Sequence, residues 1–84
     1  MPGGYAPVGP MDEGMQAARA IAMDAIYARE PTRPAVENVE ASLQVVAGYN
    51  YAFAISLAGG ARYHVTVFRS PQSAFSVTRL EKAD

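Results

Sequence analysis

The one histidine of this 84-residue sequence, His64, is where acid–base chemistry would have to begin. With a serine and one of Asp12, Asp24 or Asp84 it has the parts of a hydrolytic triad. No nucleophile elbow or other local signature brings those parts together, however. The plainer reading is a strand residue that faces away from its neighbours Tyr63 and Val65. A zinc site needs about four ligands from Cys, His or acidic side chains, and the sequence holds no Cys and a single His. Gly3-Gly4 and Gly59-Gly60 lack the Lys-Ser or Lys-Thr pair that follows the glycines of a phosphate loop. The carboxylates are scattered, and no pairing of them suggests general acid and base work. The inventory reads as that of a chain that is not an enzyme and uses neither metal nor cofactor.

Contact chemistry is better provided for. Residues Gln44-Val45-Val46-Ala47-Gly48 form a narrow apolar segment that ends at a glycine. From its residues alone it reads as a hydrophobic strand that ends at a glycine turn, with small residues, Ala47 and Gly48, at its tip. By themselves Ser70-Pro71-Gln72 reads as a hairpin turn and Gly3-Gly4 as arm glycines.

The elements that must position these segments follow from periodicity. Residues 1–10 carry Pro2, Gly3, Gly4, Pro7, Gly9 and Pro10, a composition that resists helix and sheet and predicts a free, flexible N-terminal arm. Asp12 is placed to cap a helix whose first turn gains from Glu13, with Gly14 weakening it slightly. Met15, Ala18, Ala22, Ala25 and Ile26, with Ile21 beside them, make one amphipathic stripe that ends before Pro31. Met11, Met15 and Met23 read as core filling.

From Ala35 the period becomes two. Val39, Ala41, Leu43 and Val45 alternate with Glu40, Ser42 and Gln44, and after Gly48 Tyr51, Phe53, Ile55 and Leu57 alternate with Ala52, Ala54 and Ser56. Gly59-Gly60 signals a hairpin, Tyr63, Val65 and Val67 alternate again, and Phe75, Val77 and Thr78 begin a last strand. The expected fold class is α+β: one helix packed against an antiparallel meander of about four strands, all in a single domain spanning 1–84. In such a meander the turns at 46–48 and 70–73 fall at the same end of the sheet, within reach of the arm.

Bulk properties narrow the partners. Seven Lys and Arg against eight Asp and Glu give a net charge of -1 with no basic stripe, which argues against nucleic acid. No apolar run approaches the roughly 20 residues needed to span a bilayer, so no membrane role is expected. The start lacks the pattern of a signal peptide, and the absence of cysteine suits a reducing compartment. The expected location is cytoplasmic, or secreted or periplasmic if a signal peptide has been removed.

Gln44 to Gly48, continued by Asn50-Tyr51 and followed by Tyr63-His64-Val65, Val67-Phe68 and Ser70, together with the start Met1-Pro2-Gly3-Gly4, resembles the cystatins and most of all the stefins, their intracellular branch. The resemblance covers most of the chain, from the glycine pair to Phe68. It implies a cystatin-like fold and a reversible, competitive, non-covalent inhibitor of papain-like cysteine proteases. In that role Gly3 and Gly4 of the arm, Gln44, Val45, Val46, Ala47 and Gly48 of the first loop, and Ser70, Pro71 and Gln72 of the second form a wedge that enters the protease cleft. The chain departs from stefins at Tyr49, where they usually have Thr, and at Ser70-Pro71, where they have Leu-Pro. That shorter second turn favours the alternative of a non-inhibitory cystatin-like structural or interaction module. The expected state is a monomer, with a hinge at 46–48 through which a domain-swapped dimer would form.

Overall fold

A computed structural model describes residues 5–7 and 13–83. Its elements run β1 (Tyr5–Pro7), α1 (Glu13–Tyr27), β2 (Val36–Val46), β3 (Gly48–Leu57), β4 (Arg62–Arg69) and β5 (Phe75–Ala83). The sheet order is β1-β2-β3-β4-β5, every pair antiparallel. Helix α1 packs on one face of the sheet of four long strands, touching β3, β4 and β5, in the α+β, cystatin-like arrangement expected.

Helix α1 forms because its interior is rich in Ala and carries one apolar stripe. Met15, Ala18, Ala22 and Ile26 are all buried. Ala18 and Ala22, each wholly inaccessible, keep the centre of that stripe small, so the sheet can approach the helix closely. At the helix end Ala28 N–H donates to Asp24 O at 3.0 Å and Arg29 N–H to Ile26 O at 2.8 Å, tightening the last turn. The Tyr27 hydroxyl donates to Pro34 O at 2.8 Å, and Arg33 lies 4.6 Å from the Tyr27 ring. These contacts fold the 28–35 linker back onto the helix.

Alternation on β3 and β4 supplies the other half of the core. Tyr51, Phe53, Ile55 and Leu57 are buried on β3 and Tyr63, Val65 and Val67 on β4, with Tyr51 opposite Val67, Phe53 opposite Val65 and Ile55 opposite Tyr63. Each such large side chain contributes about 1.5–3 kcal/mol by leaving water. Val39, Ala41 and Leu43 of β2 and Phe75 and Leu80 of β5 pack around that centre half-buried. The β3–β4 turn needs its glycines: Gly59 and Gly60 have φ of 94° and 98°, the left-handed region that side chains disfavour.

One expectation is corrected. The segment 1–10 is not wholly a free arm, because Tyr5, Ala6 and Pro7 pair with Gln44, Leu43 and Ser42 as a fifth, short strand. A proline is tolerated there because β1 is an edge strand, whose outer side has no partner to satisfy. Gly3, Gly4 and the expected cap Asp12 lie outside the described residues.

At the end of the sheet beside the β3–β4 turn, one contact joins distant parts of the chain. The buried Tyr63 hydroxyl donates to Glu30 Oε2 across 33 positions, and Lys82 Nζ stands 3.8 Å from the same carboxylate. The linker after α1 is thereby tied to β4 and β5.

Candidate functional site

The opposite end of the sheet carries both turns. Strands β2 and β3 join through a single unpaired residue, Ala47, with Val46 opposite Gly48 and Val45 opposite Tyr49. Gly48 makes so tight a reversal feasible with a φ of 117°. Just below, Asn50 Nδ2 donates to Gln44 Oε1 at 3.0 Å, bracing the two strands where the turn begins. The β4–β5 turn is closed by Ser70 N–H to Ala74 O at 2.8 Å and Ser73 N–H to Ser70 O at 2.9 Å. The Ser70 hydroxyl accepts from Ala74 N–H at 3.1 Å, and Ser73 takes a φ of 65°. Both turns are held by their own hydrogen bonds, so little ordering remains to be done on binding.

The two turns enclose a groove of about 320 Å3, with Val45, Val46, Gly48 and Tyr49 on one side and Arg69, Ser70, Pro71 and Ser73 on the other. Large exposed apolar side chains number four among the described residues, and three of them, Val45 at 51%, Val46 at 38% and Tyr49 at 38%, belong to this tip. These apolar side chains, gathered at one end of the sheet, are available for contact with a partner. Ala47, Pro71 and Gln72 are exposed along the same edge. The arrangement thus brings together Gln44 to Gly48 and Ser70 to Gln72. Strand β1 runs so that its first residue, Tyr5, lies opposite Gln44 next to the tip.

Sequence reasoning missed the residue at the centre of this end. Arg69 stands opposite Tyr49 on β3 and Phe75 on β5, and its guanidinium lies 5.6 Å and 5.7 Å from their ring centres. Its Nη2 donates to Ser73 Oγ at 3.2 Å. A Cβ on Gly14 would lie 3.0 Å from its Nη1 and would collide with the Tyr51 hydroxyl. One side chain therefore touches the first turn, the second turn and the start of α1. Counting the strand register from Gly48 to Ser70 would have put Arg69 opposite Tyr49; a charge adjoining a turn gives no such signal by itself.

Chemistry other than contact is poorly served here. Among the described residues no three His, Asp or Glu side chains gather where a metal could sit, and no helix is long and apolar enough to cross a membrane. The groups with displaced titration are away from the tip. Tyr63 is raised, first by its hydrogen bond to Glu30 and then by burial, while Glu81 is lowered by its hydrogen bond to Arg79. His64 is exposed on the face turned from the helix, with Tyr63 and Val65 buried on either side. That outer face also carries a depression of about 370 Å3, lined by Glu40, Ser42, Ala52, Ala54, His64 and Arg79 among others. Comparison with protein-family models, with curated proteins and with solved structures finds no significant match.

Proposed function

We propose that this chain is a reversible, competitive, non-covalent protein inhibitor of papain-like cysteine proteases. The observation that carries the reading is the concentration of exposed apolar area, Val45, Val46 and Tyr49, on a pre-formed edge made by two neighbouring turns. The resemblance of Gln44 to Gly48 to the first loop of stefins supplies the partner. The edge enters the active-site cleft, Val45 and Val46 lose water against its walls, and Ala47 and Gly48 admit the cleft's backbone. Gly3 and Gly4, ahead of β1, reach the substrate subsites beyond. No segment lies as a scissile peptide over the nucleophile, so the protease is blocked without covalent chemistry. The inhibitor acts as a monomer, since exchange through a straightened 46–48 hinge would consume the first turn, and its cysteine-free composition supports a cytoplasmic setting.

Titration of papain with the purified chain tests this. Stoichiometric loss of activity that returns on dilution is the expected result; full activity at micromolar inhibitor overturns the reading. The depression on the outer face of the sheet supports a second reading, a cystatin-like interaction module without inhibitory activity. A folded chain that gives no heat of binding with papain favours that one.

A further inference from the structure

We propose that the groove between the two turns is a carboxylate subsite, with the Arg69 guanidinium as receptor and an acidic side chain of the bound protein as occupant. The proposal rests on the reading of this edge as a protein-binding surface and adds the chemistry that the partner must present there.

Arg69 is half-buried, and its guanidinium has five N–H donors in a fixed fork. The hydrogen bond to Ser73 Oγ uses one of them. The ion pairs of the described residues are Arg79 with Glu81 and Lys82 with Glu30, so no described acid answers Arg69. Residues 44–50 and 68–77, which contain both turns, hold no Asp or Glu at all. Among the described residues the tip therefore carries a cation with donors to spare and no paired acid.

That cation is also fixed in place. Tyr49 and Phe75 approach it from the neighbouring strands at 5.6 Å and 5.7 Å, a stacking that suits a planar guanidinium and would not hold a lysine in the same way. A pre-ordered fork loses little entropy when it meets a carboxylate, and bidentate Arg–carboxylate pairs are shorter and stronger than neutral hydrogen bonds. The groove's volume, about 320 Å3, admits an Asp or Glu side chain. Val45, Val46 and Tyr49 receive its methylene stem, on the side of the groove opposite Arg69. A single cation facing Val45 and Val46 across the groove fits one carboxylate better than a phosphate, whose larger charge calls for several donors.

The test needs no protease. The peptides acetyl-Gly-Asp-Gly-amide and acetyl-Gly-Asn-Gly-amide are titrated into the 15N-labelled full chain while the Arg69 Nε–Hε signal and the amides of Gly48, Ser70 and Ser73 are followed. Saturable shifts with the Asp peptide, at least ten-fold weaker with the Asn peptide, are expected. They should vanish in Arg69→Met and persist more weakly in Arg69→Lys. Equal responses to the two peptides, or none at tens of millimolar, overturn the subsite, and that comparison stands on the parent chain even if a variant unfolds. An Arg69 signal that answers Glu13→Gln but not the Asp peptide overturns it too, because the chain's own acid would then hold the guanidinium. Failure of papain inhibition alongside a positive peptide titration removes the protease reading and leaves the subsite standing.

Discussion

Gly48 and Arg69 approach so closely that any side chain on Gly48 would run into the Arg69 carbonyl oxygen, and would press on the Phe68 ring at 3.0 Å. The first turn thus closes against β4 only because residue 48 has no Cβ. Two constraints meet at this glycine, since its φ of 117° also lies where side chains are strained. Substitution at Gly48 consequently tests the fold, and the neighbouring Ala47, exposed at the apex, tests the contact surface.

Gly48→Ala should lower stability by about 1–2 kcal/mol from backbone strain alone, with the collision adding to it; a thermal melt identical to the parent's would show that β4 gives way freely. Ala47→Glu should leave the melt unchanged and weaken papain inhibition about 100-fold, roughly 2.8 kcal/mol at 1.4 kcal/mol per decade. Retained inhibition in a folded Ala47→Glu chain would remove this turn from the interface.

Gly14→Ala sets two effects against each other. Alanine gains up to about 1 kcal/mol of helix propensity over glycine, but its Cβ would collide with the Tyr51 hydroxyl, and overpacking of this kind costs about 1–3 kcal/mol. Tyr51 is 2% exposed and packed in the core, so the collision should win and denaturant unfolding should show a less stable chain. A more stable variant would mean that α1 can lift its first turn without loss.

Tyr63→Phe should cost about 1.5–3 kcal/mol, the range for a hydrogen bond to a charged group. The hydroxyl's pKa is raised above the ordinary 10.0, chiefly by its bond to Glu30. The folded state therefore holds this proton more tightly than the unfolded chain does. The corresponding stabilisation is complete below pH 10 and is lost as pH climbs from there through the raised folded value. Stability profiles of parent and Tyr63→Phe should accordingly converge at alkaline pH; parallel profiles would refute the coupling to Glu30.

Deleting residues 1–4 keeps β1, whereas deleting 1–7 strips the short strand from the edge of β2. Only the longer deletion should speed hydrogen exchange in β2 around residues 42–44, where β1 pairs. Under the proposed function both deletions should raise the dissociation rate from papain with smaller effects on association. Equal exchange in the two truncated chains would argue against β1 in solution.

Much of this architecture is legible along the chain. Tyr51, Phe53, Ile55 and Leu57 alternate in sequence and are buried in the fold, because period two and a one-sided core allow no other facing. The stripe Met15, Ala18, Ala22 and Ile26 turns inward for the corresponding helical reason. Gly59 and Gly60 mark their turn by composition, and the meander then requires that the turns at 46–48 and 70–73 share one end. Strand β1 was hidden, since its residues have no strand pattern and pair only because β2 offers them an open edge.

Sequence by itself determined the helix, the four long strands and the narrow apolar tip at Val45 to Gly48, all of which follow from patterns within a few residues. Tertiary structure alone decided what depends on neighbours distant in sequence. It drew Arg69 between Tyr49 and Phe75, tied Glu30 to Tyr63, and made Gly14 and Gly48 necessary for space as well as for backbone freedom. Such contacts follow from strand register and helix placement, and no local preference encodes them.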